Sequence, residues 1–211
     1  MSAEAGHPGT AGHDAADVAG HALLVRLAGR LPNRLLWRLR EWLAGDAHEA
    51  VAAMLPRALL RHRVGLTDEE RDLLETAVGE RGASRRVLDA ISALPAPDGP
   101  NATFRPGPEP DVAALSVLAV VRGDAGCVEL RQAVRTGGPH AHRVVLVRTR
   151  GSRPWVLAGT LARVLSAHGD PAPCVEVLPA DGAPSAYHRA ALDGSALLWH
   201  RPAPRAAAPG R

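Results

Sequence analysis

Hydrophobic positions along this chain follow two different spacings, and the change falls at a proline-rich stretch. Before it, Leu, Ala and Arg recur at the spacing of a helix face. From Val112 onward, apolar runs such as 115–121 and 144–147 alternate with amphipathic stretches, as strands joined by helices do. In the first part this spacing predicts a helix over 15–30, a second from about Pro32 and Asn33 to Ala44, and a third over 47–62 that Pro56 should kink or split. In the second of these, Leu35, Leu39, Trp42 and Leu43 share one face while Arg34, Arg38 and Glu41 occupy another. Thr67 followed by Glu70 matches a capping box, in which hydroxyl and carboxylate each satisfy an orphan backbone N–H. A fourth helix should start there and end at Gly79, and Ser84 should cap a fifth that runs to about Ala93.

The second part predicts strands at 114–121, 144–149, 174–178 and 195–200, with helices at 126–135, 154–167 and 184–192. Uninterrupted alternation with right-handed crossovers implies a four-stranded, mostly parallel α/β domain. Between the two parts Pro95, Pro97, Pro100, Pro106, Pro108 and Pro110 exclude helix and central strand alike, so 95–111 reads as a semi-stiff linker. The expected organisation is a disordered N-terminus over 1–14, an all-helical domain over 15–94, the linker, an α/β domain over 112–201, and a disordered tail over 202–211.

Composition adds constraints rather than an identity. Aromatics are 3% of the 211 residues, so burial has to come from Leu, Val and Ala, and the four Trp are the expected packing anchors. Every basic side chain is Arg, which accords with a GC-rich coding bias before it accords with anion recognition. Charge in the helical part is polarised. Eight Arg between Arg26 and Arg63 face Glu41, Asp46 and Glu49, whereas four Arg between Val64 and Leu94 face seven acidic residues. That polarity suits helices packing on one another better than binding a polyanion. Two cysteines, no leader-like N-terminus and no apolar stretch beyond about half a membrane span lead to the expectation of a cytoplasmic protein with reduced thiols and no membrane contact.

Candidate chemistry follows from the expected sheet. Ligands gather beyond the carboxyl ends of parallel strands, where helix N-termini present backbone N–H groups. That edge would collect Arg122, Asp124, Arg150, Ser152, Arg153, Asp181 and His200, a set able to hold a phosphate or carboxylate. Gly123 and Gly126 match neither a dinucleotide nor a P-loop fingerprint, and no cofactor is expected. Cys127, placed in the first turn of a helix, would have its thiol acidified there. The opposite edge would gather His140, His142, His168 and Cys174, donors suited to a borderline metal. The segment 65–93 is similar in outline to a helix-turn-helix whose second helix would be led by Arg85 and Arg86. Its long turn and acidic first helix weigh against nucleic acid as a partner.

No complete catalytic set is visible. The leading expectation is therefore a non-catalytic adaptor or regulatory protein that captures a protein partner through Arg34, Trp37, Arg38 and Trp42. The alternative is a small α/β enzyme or sensor that binds a phosphorylated or carboxylated ligand at the sheet edge. A DNA-binding regulator is the third.

Overall fold

The computed structural model describes residues 8–79, 85–92, 102–136 and 141–202. Five helices come first: α1 (Pro8–Arg26), α2 (Asn33–Ala44), α3 (His48–Arg61), α4 (Asp68–Val78) and α5 (Arg85–Ser92). Then follow β1 (Thr103–Pro106), α6 (Val112–Gly123), β2 (Cys127–Thr136), β3 (His142–Thr149), α7 (Pro154–Ala167), β4 (Cys174–Pro179), α8 (Ala186–Asp193) and β5 (Ala196–His200). Among the described residues no helix is long and apolar enough to cross a membrane.

The helical part follows its apolar spacing closely. The Thr67 hydroxyl accepts from the Glu70 N–H while the Glu70 carboxylate accepts from the Thr67 N–H, so both halves of the capping box are present. Helix α3 continues through Pro56, which is buried in its interior. Helix α1 begins at Pro8, so residues 8–14, expected to be disordered, extend it. Ser84, the linker up to residue 101 and the tail beyond residue 202 lie outside the described residues. Leu23, Leu24, Leu27, Leu39, Leu55, Leu59 and Leu74 form the centre of one core, and Trp155 of α7 packs into it.

Two elements of the second part exchange roles relative to expectation. Residues 114–121, expected as a strand, lie in α6. The Asp111 carboxylate caps that helix by accepting from the Ala114 N–H at 2.9 Å. Ala113, Ala114, Val117 and Val121 then form its buried stripe at helical spacing, leaving Val112 and Leu115 exposed. Residues 126–135, expected as a helix, are instead the long central strand β2. Its polar residues misled the periodicity because β2 is irregular, with register shifts at Cys127/Glu129 against β3 and at Leu130/Arg131 against β5.

The sheet is accordingly mixed and five-stranded, not four-stranded and mostly parallel. Its order is β1-β2-β3-β4, and only β3 and β4 are parallel. β1 and β5 share the outer edge of β2, one opposite each half of it. β1 comes from the linker, where Pro106 is tolerated because the strand is at an edge. One sheet face packs on α6 and α7 through Leu130, Val145, Val147, Val175 and Leu161. The other packs on α8 through Leu146, Ala133, Cys174 and Ala191.

The helical part covers the remaining edge of the sheet. β4 pairs with β3 on one side, and its outward carbonyls are met by side chains from the helices: Arg40 donates to Val175 O at 2.8 Å and His21 Nε2 to Val177 O at 3.0 Å. An otherwise open strand edge is thereby closed without a further strand. Helices α2 and α7 also approach closely. A Cβ at Gly159 would overlap the Ala44 methyl, so the small residue sets that spacing.

Candidate functional site

Where the helical part and the sheet diverge, they leave a cleft of about 1290 Å³. Its floor is the carboxyl end of the parallel pair: Arg148 to Ser152 at the end of β3 and just beyond it, and Leu178 to Ser185 at the end of β4 and beyond it. Its facing wall is Val18, His21, Ala22, Val25 and Arg26 of α1 and Arg30 of the turn after it, with the first turn of α4, and Trp155 of α7 and Tyr187 and His188 of α8 complete the lining. Parallel pairing is the cause of the position. Both strands must leave the sheet at the same end, so two loops and two helix starts converge there.

Charge in the cleft is balanced, since Arg26, Arg30, Arg148 and Arg150 stand with Asp68, Glu69, Glu70 and Asp181. Most of these groups are committed. Arg26 pairs with Glu69, Arg30 with Glu70 and the Gly65 carbonyl, and Arg148 donates to the Ala180 carbonyl. Arg150 is held most loosely, 3.3 Å from an Asp181 carboxylate in an exposed pair. Two deeply buried groups are left without partners. His21 is 7% and Trp155 2% exposed, and neither His21 Nδ1 nor Trp155 Nε1 finds a hydrogen-bond partner among the described residues. Burial foremost, and the adjacent Arg40 charge, lower His21 to about 4, so its ring is neutral near pH 7. With Nε2–H committed to Val177 O, Nδ1 is left as a bare acceptor.

Beneath the cleft lies a buried charge network. Glu176, fully buried on β4, accepts from both terminal nitrogens of Arg40 at 3.0 and 2.7 Å and contacts His188 Nε2 at 3.2 Å. Burial alone would raise its carboxyl, but Arg40 foremost and then His188 bring it down to about 2. His188 Nδ1 in turn is 2.8 Å from the Ser185 hydroxyl, which opens to the cleft at the start of α8.

The sequence-derived residues distribute unevenly around this geometry. Arg150, Ser152 and Asp181 line the large cleft. Asp124 and Arg153 line, with Ser152, a smaller neighbouring depression of about 380 Å³. Arg153 there stacks over Trp155, and the Asp124 carboxylate accepts from the Gly126 and Cys127 N–H groups, which makes it a turn former. Arg122 and His200 are exposed at the ends of α6 and β5 and line neither. Cys127 opens β2 rather than a helix; burial foremost, with Asp124, pushes its thiol up to about 11, the opposite of the expected activation.

Among the described residues, the expected metal donors His142, His168 and Cys174 form no cluster of three ligand atoms. His142 opens β3, and His168 caps the end of α7 with Nε2 2.9 Å from the Ser116 hydroxyl. Cys174 is buried, its thiol pushed up to about 12 by burial and Glu176, and His140 lies outside the described residues. The one group of His, Cys, Asp or Glu among the described residues with three ligand atoms within 4.8 Å is Asp17, Asp46 and His48, between the middle of α1 and the start of α3. On α2, Arg38 lies over Trp37 and Trp42 at 5.4 and 5.9 Å, and Trp37 packs into the sheet-side core. Arg34 is exposed there, as is Arg86 on α5, while the turn before α5 lies outside the described residues.

Sequence reasoning passed over His21, Arg40, Glu176, Ser185 and His188. A signal was available for two of them: Arg40 shares the apolar stripe of Leu36, Leu39 and Leu43, and Glu176 sits inside the apolar run of β4. A charge on a face that must be buried implies a buried partner. Ser185 and His188 at i, i+3 fit a helix start and carried no further mark. Compared with protein families, curated proteins and solved structures, the chain matches none of them.

Proposed function

We propose that the chain binds a small carboxylated or phosphorylated molecule in the cleft between α1 and the carboxyl ends of β3 and β4. The observation that carries this reading is the convergence of two strand ends, two helix starts and the loosely held Arg150 on a cavity large enough for a metabolite-sized ligand, with the buried His21 and Trp155 in its lining. Arg150 supplies the anion contact, because its exposed pairing with Asp181 is cheap to exchange. Val18, Ala22, Val25 and Leu178 would take the apolar body of the ligand.

The adaptor reading draws less support. Leu36, Leu39, Arg40 and Leu43 of α2 are spent on packing within the chain, and the exposed large apolar residues of the helical part are Val18 and Met54, on different helices, among the described residues. A thermal shift screen with sugar phosphates, nucleotides and short carboxylic acids tests the proposal. The expected result is stabilisation by at least one anion that is reduced in Arg150→Ala and in His21→Phe. No shift with any of them, or a shift untouched by both substitutions, rejects the cleft as the site.

A further inference from the structure

We propose that Ser185, His188 and Glu176 form a nucleophile and its proton relay on the wall of the cleft, suited to transferring the acyl group of a small carboxylic ester. The inference rests on the cleft being a ligand site. Its geometry is a chain of two contacts, from the exposed Ser185 hydroxyl to His188 Nδ1 at 2.8 Å, and from His188 Nε2 to the fully buried Glu176 at 3.2 Å.

Proton positions follow from the far end of that chain. Arg40 engages both oxygens of Glu176 and holds it as a carboxylate, which can only accept. In the neutral imidazole, Nε2 must then carry the proton and Nδ1 the lone pair. The Ser185 O–H is left to donate to Nδ1, the arrangement a general base needs. A helix cap alone does not require this. Capping asks only that the Ser185 oxygen accept from the His188 N–H, a bond that is long here at 3.4 Å. The other caps of this kind, Thr67 and Asp111, accept backbone N–H bonds with no buried imidazole behind them. In the first turn of α8 the His188 N–H is taken by Ser185 Oγ and the Arg189 N–H by the Ser185 carbonyl, so the Ala186 and Tyr187 N–H groups, next in sequence to Ser185, are the candidate oxyanion donors.

The step balances without a cofactor. Ser185 Oγ attacks the ester carbonyl carbon as its proton passes to His188 Nδ1; the tetrahedral intermediate then expels the alcohol, which leaves with that proton. Water attacks the acyl-serine, gives one proton to Nδ1, and the acyl–Oγ bond breaks as Ser185 recovers it. The net change is ester plus water to acid plus alcohol.

The test uses the full chain with a fluorophosphonate probe, read by intact mass and peptide mapping, and with p-nitrophenyl acetate turnover. Expected are one adduct per chain at Ser185, its loss in Ser185→Asp, which keeps a capping side chain, and at least about 100-fold slower labelling in His188→Gln. Thermal melts of each variant establish that it is folded at the assay temperature. Labelling elsewhere, labelling at Ser185 no faster than in the urea-unfolded chain, or a folded His188→Gln that labels like the native chain overturns the relay. Anion stabilisation of the native chain without labelling removes the relay and leaves the cleft as a binding site. Labelling at Ser185 without anion stabilisation keeps the relay and the cleft and rejects an anion as the cleft's ligand.

Discussion

The seam between the helical part and the sheet is built in two ways along its length. In its closed stretch, α2 lies on α7 across Gly159, and Arg40 reaches over β4 to satisfy a strand carbonyl and both oxygens of Glu176. A few residues along the same strand, the seam opens into a cleft where His21 and Trp155 keep unpaired atoms and Arg150 is held by an exposed ion pair. Such a pair is worth little, whereas a buried one whose partner is removed leaves an uncompensated charge. Stability is therefore concentrated in the closed stretch, and adaptable polar groups in the open one.

The largest expected effect comes from breaking the closed stretch. Arg40→Met strands Glu176 and should cost about 3–5 kcal/mol in urea unfolding, with much of the loss recovered in the Arg40→Met, Glu176→Leu double variant. A loss below about 1 kcal/mol would mean that the charge network does not hold the two parts together. Acid should act next, with a sign set by the lowered values. His21, at about 4 in the folded chain against 6.5 ordinarily, takes up its proton later than the unfolded chain does. Its contribution is whole above about 6.5 and declines as pH falls toward 4, by on the order of 3 kcal/mol. Glu176, lowered from 4.5 to about 2, adds a further decline of the same sign between those values. Urea midpoints at pH 7.5 and 5 should differ less in His21→Gln than in the native chain, and an equal difference would show that His21 is not the group responsible. The smallest effect is steric. Gly159→Ala should cost about 1–2 kcal/mol through its overlap with Ala44, and Ala44→Gly should restore most of it. A neutral Gly159→Ala would show that the α2–α7 spacing yields easily.

Legibility from sequence divides along the same physical lines. The four helices over 33–92 and the strands at 142–149 and 174–179 lie where the apolar spacing puts them, because local periodicity and capping residues such as Thr67 act within a few positions. The exchange of α6 and β2 shows where that reasoning fails. Val112–Gly123 is rich in Val yet is helical because Asp111 caps it and its buried stripe meets α7, while Cys127–Thr136 looks amphipathic yet is a central strand with partners on both sides. Arg150, Ser152 and Asp181 nonetheless line one cleft. The carboxyl ends of the parallel pair depend on β3 and β4 alone, and both were read from their Val-rich runs. His21, Ser185, His188 and Glu176 were not assembled in advance, since they come from α1, α8 and β4 and meet only in the folded chain.

From residue order alone came the helical first part, the proline-rich break, the capping box and the two parallel strands β3 and β4, since each depends on side chains within a turn or two of one another. Tertiary structure decided the mixed sheet, the closure of β4 by Arg40 and His21, and the cleft with its serine, histidine and carboxylate. Those depend on contacts between residues as far apart as 21 and 177, whose proximity no local pattern encodes.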